Sequence, residues 1–294
     1  IRILGHECAG QVAVVGKTVT SVKVGDRVVI MPVMPCDKCD FCRSGEYSLC
    51  ENFLRMGTRI NGCFAEHVRV FPENLLKLPV GVDHETACIL EPSAVALHSV
   101  KRAGISAGDV VCVFGCGSIG LLIMQWARLL GARRIFAVDI FKEKLDLARK
   151  IGIIDRIKAN DRNPVEEILE LTKYRGADLV FEAVGSGKTI EQSIEVVRKL
   201  GKIVIVGLVN SDVNLSSETV CSIVRKELTI YGSYDADIKP LPLNSWETSL
   251  HFLETKRLNL ASIITHRYKI DVIDKVFHEI ANNKEEFGKV IFVF

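Results

Sequence analysis

Any strong excess of charge is missing from the chain: 38 lysines and arginines stand against 36 aspartates and glutamates, a formal net charge of +2. That near-balance leaves no basic stripe for nucleic acid and no polybasic anchor for a membrane. Long apolar runs are missing too. The richest stretch, near Val110 to Met124, is broken by glycines and falls short of the roughly 18 uninterrupted apolar residues of a spanning helix. Repeats and low-complexity segments are absent. So are a start methionine and a signal-peptide pattern, since the sequence opens at Ile1 with IRILGHE and reads directly into a strand. These absences lead us to expect a cytoplasmic protein whose N-terminal part is missing from the chain.

At 294 residues, 48% hydrophobic and 25% charged, the chain can bury two sizeable cores. Four of its ten cysteines, Cys36, Cys39, Cys42 and Cys50, follow a C-x2-C-x2-C-x7-C spacing. Steps of two intervening residues suit a shared metal better than paired disulfide bridges. Four thiolates saturate a zinc ion and leave no open position, so such a cage holds structure and does no chemistry. The remaining cysteines, Cys8, Cys63, Cys88, Cys112, Cys116 and Cys221, are scattered and read as reduced, buried thiols.

Texture divides the chain into three. Residues 1–94 read as an all-β lobe, with strands at Gln11 to Val15, Arg27 to Met31 and Ala65 to Val70 split by turn residues. From 95 to 235 apolar strands alternate with amphipathic helices. The strands are Val110 to Phe114, Arg134 to Val138, Asp155 to Ile157, Leu179 to Glu182, Ile203 to Val206 and Leu228 to Tyr231; the helices are Ile119 to Leu130, Lys142 to Lys150, Pro164 to Thr172 and Lys188 to Lys199. Alternation of this kind gives an α/β, doubly wound parallel sheet. Residues 236–294, with Pro240, Pro242, helices at Asn244 to Thr255 and Val272 to Asn282, and a strand at Val290 to Phe294, are expected to return to the first lobe.

After the first of those sheet strands, VVCVFGCGSIG places Gly115, Gly117 and Gly120 in G-x-G-x-x-G register, with Ser118 and Ile119 opening a helix. A tight turn, close approach of the backbone to a pyrophosphate and close helix packing each need one of these glycines, and the helix N-terminal amides face the anion. Asp139 ends the next strand 19 residues past Gly120, where a carboxylate accepts hydrogen bonds from both adenine-ribose hydroxyls and repels a 2′-phosphate. NAD is therefore expected over NADP. Lys144 either neutralises that acid, reaches the ribose or is a plain helix-surface lysine. Val206, Gly207 and Leu208 close a further strand at the carboxyl edge, where ligands lie in such sheets.

His6 and Glu7 offer an imidazole and a carboxylate on consecutive residues, which alone fits a satisfied structural pair better than a ligand pair. The order of parts adds weight: GHECAGQV, the cysteine loop, GCFAEH, then LEPSAVALHSV leading into the glycine turn. Over essentially the whole chain this resembles the zinc-dependent medium-chain dehydrogenases, the alcohol and polyol dehydrogenase superfamily. The resemblance implies a Rossmann sheet with a GroES-like catalytic lobe, two zinc ions per subunit of the complete protein, NAD, and a homodimer or homotetramer. It makes His6, Glu7 and Glu91 the catalytic zinc ligands and Cys36, Cys39, Cys42 and Cys50 the structural ones. Glu91, where the alcohol dehydrogenases proper carry a cysteine, looks like the polyol and threonine dehydrogenase branch.

The tail segments RKELTIYGSY, PLPLNSWETSLHFLETKRLNL, ITHRY and GKVIF are similar to those of galactitol-1-phosphate 5-dehydrogenases, and more distantly to sorbitol (L-iditol) dehydrogenases. The reaction so implied is oxidation of a polyol or polyol phosphate to a ketose, galactitol 1-phosphate to tagatose 6-phosphate first, with sorbitol or L-iditol and then threonine oxidation as alternatives. A catalytically inactive NAD- or zinc-binding paralogue is the reading from another class. Two departures from the family pattern stand out: its remaining catalytic cysteine would lie upstream of this chain, and Cys63 replaces the second glycine of a G-G-F-A-E-Y turn. His67, His84, His98, His251, His266 and His278 have no ligand pattern. Arg59 and Arg267 are the right chemistry for a substrate phosphate but lack a motif.

Overall fold

The N-terminal region of the computed structural model, which describes residues 2–238, 244–283 and 287–294, is made of short strands: β1 (Ala9–Gln11), β2 (Arg27–Ile30), β3 (Val33–Met34), β4 (Leu54–Arg55) and β5 (Leu75–Lys77). They form two small antiparallel sheets, β1–β2–β5 and β3–β4. The chain steps from one sheet to the other after β2. There the buried Asn74 amide donates to the Met31 and Val33 carbonyls, both at 2.8 Å, and satisfies backbone groups that no ladder reaches. A short helix, α1 (Asp40–Arg43), lies inside the cysteine loop, and α2 (His84–Ala87), capped by the Asp83 side chain, follows β5.

Next comes α3 (Leu90–Ala103), the pillar of the molecule. Ala- and Leu-rich sequence favours the helix, and Pro92 sits in its first turn, where a missing N–H costs nothing. Lys101 and Arg102 face the negative end of the dipole, and Gly104 closes the helix in the left-handed conformation at φ 68°. Ten of its residues are buried because it packs between other helices on more than one side. The expected boundary between residues 94 and 95 falls inside it.

The parallel sheet is built from β6 (Val110–Phe114), β7 (Arg134–Asp139), β8 (Asp155–Lys158), β9 (Ala177–Glu182), β10 (Val197–Ile205) and β11 (Thr229–Gly232), in the order β11–β10–β9–β6–β7–β8. Helices α4 (Ser118–Leu129), α5 (Lys142–Lys150), α6 (Pro164–Leu171), α7 (Gly187–Val196) and α8 (Ser217–Arg225) connect the strands. Central strands β6 and β9 are buried along their whole length, as expected for a sheet covered on both faces. β9 nonetheless carries Asp178. Burial alone would raise that carboxyl, but hydrogen bonds from Arg175, the Val110 N–H and Arg198 outweigh it and bring it down to about 2. Strand order reverses between β6 and β9, which leaves a crevice at their carboxyl ends.

In the tail, α9 (Ser245–Glu254) opens with a capping box between Asn244 and Glu247 and packs on α3. β12 (Ile264–Lys269) and β13 (Lys289–Val293) pair in parallel, with α10 (Ile273–Asn282) between them in sequence. Phe64 of the N-terminal region meets Phe277 and Phe292 edge-on, with centroids 6.1 and 5.6 Å away. Among the described residues no helix is long and apolar enough to cross a membrane.

Several sequence expectations need correction. The first ladder covers Ala9–Gln11 rather than Gln11 to Val15, because the Gly25–Asp26 turn ends its partner and Val14 faces solvent. Ala65 to Val70 carries no ladder among the described residues; Val68 and Val70 instead pack on Ile30, Met56 and Cys63. The helix expected to run to Lys199 ends at Val196, since Val197 pairs with Ala177 of β9 and Arg198 turns to Asp178. Cys221 is exposed, and Cys8 and Cys88 are only partly buried. Pro240 and Pro242 lie outside the described residues.

Candidate functional site

All ten cysteines are free thiols, and the sulfurs of Cys36, Cys39, Cys42 and Cys50 lie within 4.8 Å of one another. Cys39 Sγ is 3.5 Å and Cys36 Sγ 4.0 Å from Cys42 Sγ. A zinc tetrahedron with metal–sulfur bonds of about 2.3 Å has edges of about 3.8 Å, close to both of these separations, so the donor set suits the ion. Asp37, at φ 56°, provides the tight bend after Cys36. Backbone N–H groups of Lys38 and Cys39 pull the Cys36 thiol down to about 6, whereas burial pushes Cys42 up to about 12. Four thiols competing for the few nearby donors are what a cation would settle.

A second donor cluster lies where the N-terminal region meets the sheet domain. Donor atoms of His6, Glu7 and Glu91 lie within 4.8 Å of one another. His6 and Glu7 precede β1, whereas Glu91 is set by the first turn of α3 and is 4% exposed. His6 Nε2 stands 3.7 Å from Glu91 Oε1. Burial lowers the imidazole pKa and so favours its neutral, ligating form. It pushes Glu91 up to about 8, helped by the charges of Glu7 and Asp235. One imidazole beside two carboxylates that lack full compensation is a donor set suited to a divalent cation.

Three further charged residues surround this cluster. Lys289 of β13 pairs with Glu7. Arg55 of β4 places Nη2 3.6 Å from Glu91 Oε1 and 3.0 Å from Asp235 Oδ2. Asp235 follows β11, so the cluster lies beyond the carboxyl edge of the parallel sheet. Sequence reasoning missed all three. Lys289 was within reach, in the GKVIF segment, but Arg55 and Asp235 have no local signal beyond a charge between apolar neighbours.

At that edge the glycine turn behaves as its spacing implies. Gly115 has φ 95°, and a Cβ on Gly120 would sit 1.9 Å from the Gly115 carbonyl oxygen, whereas nothing lies within 4 Å of one on Gly117. Only the middle glycine therefore opens onto free space, at the N-cap of α4 ahead of Ser118 and Ile119. Asp139, ending β7, accepts from Cys116 N at 2.7 Å and Phe141 N at 3.0 Å. Lys144 donates to the Phe287 carbonyl in the tail. β10 ends at Ile205, one residue early, and the N–H groups of Val206 and Gly207 both reach the Glu182 carbonyl. Leu208 is exposed. Glu182 is fully buried, and its side chain gathers Val184 N, Gly185 N and the Thr189 hydroxyl, tying the β9–α7 loop beside Gly207.

Other candidates are engaged elsewhere. Arg59 donates to the Phe53 carbonyl and stacks over its ring, and Arg267 pairs with Glu85 at 2.6 Å. His98 lies 3.8 Å from Asp237, an acidic neighbour the sequence did not reveal. Cys63 adopts no positive φ, so its bend needs no second glycine; close packing falls on Gly62, whose Cβ would lie 2.1 Å from the Gly5 carbonyl oxygen.

Comparison with known proteins agrees with this layout. A profile for zinc-binding dehydrogenases matches residues 118–255, and one for the alcohol dehydrogenase GroES-like domain matches residues 2–80. Galactitol 1-phosphate 5-dehydrogenase of Escherichia coli (strain K12) is 33% identical over 290 residues, covering 99% of this chain and 84% of the relative. Sorbitol dehydrogenase of Halalkalibacterium halodurans is 35% identical over 284 residues, covering 96% and 80%. The crystal structure of galactitol-1-phosphate dehydrogenase from Escherichia coli matches with a TM-score of 0.92 at 33% identity, covering 100% of this chain and 84% of that one.

Proposed function

The chain belongs to the zinc-binding alcohol dehydrogenase family and is an oxidoreductase, and from that premise we propose that it oxidises a secondary alcohol of a polyol or polyol phosphate to a ketose with NAD as acceptor. The observation that carries the reading is the convergence of His6, Glu7 and Glu91 beyond the carboxyl edge of the sheet that bears the glycine turn. Galactitol 1-phosphate, giving tagatose 6-phosphate, is the first-choice substrate, supported by the relative named above. Sorbitol is the second, supported by 35% identity to a sorbitol dehydrogenase.

In this reading His6, Glu7 and Glu91 hold a catalytic zinc, and the four cysteines hold a structural one. The catalytic ion supplies Lewis acidity that lowers the pKa of a hydroxyl brought to it. The chain's own residues do the rest. Lys289 and Arg55 offset the carboxylates of Glu7 and Glu91, which keeps the donor set from repelling itself. Gly117 leaves room for the pyrophosphate at the α4 N-terminus. Both Asp139 oxygens retain lone pairs beyond their backbone bonds, enough to accept the ribose hydroxyls, and their charge disfavours a 2′-phosphate. Residues 236–294 would then be a tail returned to the catalytic lobe of residues 1–94, which the Phe64 and Glu7 contacts support, with 95–235 as cofactor domain and α3 running across the join.

Spectrophotometric NADH formation on galactitol 1-phosphate, galactitol, sorbitol and L-threonine tests the proposal. The phosphorylated hexitol should exceed its parent by about tenfold or more in kcat/KM, which needs only about 1.4 kcal/mol of differential transition-state binding. Equal constants would move the assignment to sorbitol. No NADH from any polyol would overturn the reading.

A further inference from the structure

Beside the metal ligands stands a charged pair: Arg55 also offsets Glu91, whereas its partner Asp235 serves neither the metal ligands nor the cofactor cradle. Arg55, between Leu54 and Met56 on β4, and Asp235, after β11, meet at 3.0 Å from opposite sides of the junction. Their side chains are 15% and 6% exposed. Burying such a pair gives little net stability, because desolvation cancels most of the attraction, and an apolar pair of similar volume would serve the fold as well.

Asp235 also sits at φ 59°, in the left-handed region that costs every residue but glycine something and Asp less than most, with Ala236 N donating to its Oδ1 at 2.9 Å. Strain of this kind persists where surrounding structure fixes it, and it gathers at binding sites. Arg55 is only partly satisfied. Its Nη1 reaches the Tyr234 hydroxyl at 3.4 Å, while its buried Nε has no hydrogen-bond partner among the described residues.

The sign of the charges says what the pair can read. The guanidinium stands between Asp235 and Glu91, so an anion placed there meets two carboxylates and one cation. A neutral hydroxyl is suited to it, accepting from the guanidinium while donating to Asp235, and both bonds are charge-assisted. We infer that, within the polyol class proposed above, the Arg55–Asp235 pair reads the hydroxyl on the carbon next to the one oxidised. The inference rests on the oxidation proposed above and adds its specificity residues. A phosphate at the far end of a hexitol is compatible with it, being remote from the pair.

The test compares wild type with Asp235→Asn, Arg55→Gln and Asp235→Gly. The glycine variant removes the carboxylate and relieves the left-handed backbone but leaves the largely buried Arg55 with Glu91 as its remaining acidic partner, so it should melt below wild type. All variants are assayed well below their melting temperatures. Two readouts are taken: kcat/KM on sorbitol against 2-butanol, and calorimetric binding of sorbitol without NAD. Each variant should lose at least about tenfold more on the hexitol than on 2-butanol and bind sorbitol correspondingly more weakly. Equal losses on both alcohols, or losses confined to a phosphorylated hexitol, would overturn the inference. Should wild type oxidise neither these alcohols nor galactitol 1-phosphate, the proposed reaction fails, yet weakened sorbitol binding in all three variants would still support the subsite. Wild type that does not bind sorbitol would overturn it.

Discussion

The four-cysteine loop and the His6–Glu7–Glu91 cluster each bring their donor atoms within 4.8 Å, yet they are built in opposite ways. The cysteines come from one continuous loop, residues 36–50, and their near neighbours are one another and the loop's own N–H groups. The other donors come from two segments, residues 6–7 and 91, and are ringed by charges from β4, the end of β11 and β13. A set closed within one loop can saturate an ion and fix local structure. One assembled by the tertiary fold keeps charged neighbours that can act on a bound molecule. The two clusters should therefore fail differently.

The largest effect is expected from the loop. Cys39→Ser should lose about one zinc equivalent and several kcal/mol of stability in the N-terminal region, since metal-binding free energy in such a cage is folding free energy. Metal analysis with thermal unfolding checks it, and unchanged zinc content would erase the contrast. Glu91→Gln should lower turnover about a hundredfold or more while leaving the cage zinc and NAD affinity in place. Near-wild-type turnover would make Glu91 a structural acid.

Asp139→Ala bears on neither cluster and should raise KM for NAD by about tenfold while narrowing the preference over NADP. An unaltered ratio of the two cofactors would mean that another group reads the ribose. The smallest effect comes from Asp178, a buried carboxylate answered by arginines rather than by a metal. Its pKa is lowered from 3.8 to about 2, so its stabilisation is complete above the unfolded value and is lost as pH falls through the folded one. Asp178→Asn should cost about 2 kcal/mol at neutral pH with zinc content intact, and the gap in melting temperature from wild type should close as pH approaches 2. A gap independent of pH would assign the loss to packing.

Legibility followed the same division. Cys36 to Cys50 and Gly115 to Gly120 could be read because their geometry is set by spacing within one turn or loop. The sheet strands were visible as apolar runs because both faces of β6 and β9 are covered. Glu91 came only from the order of motifs, since a lone carboxylate in LEPSAVALHSV carries no local signal, and α3 itself went unread. Arg55 and Asp235 could not be found by pattern, being 180 residues apart in sequence and paired only by the fold. Ala65 to Val70 misled because its β-branched residues pack without joining a ladder.

X-ray absorption at the zinc edge tests most directly whether one cluster is a closed cage and the other an open centre. On wild type and His6→Ala it should give a mixture of sulfur and nitrogen or oxygen ligands in the first, and four sulfurs at about 2.3 Å alone, with zinc content reduced by about one equivalent, in the second. A spectrum and zinc content unchanged by His6→Ala would contradict the assignment of a second metal centre to His6, Glu7 and Glu91.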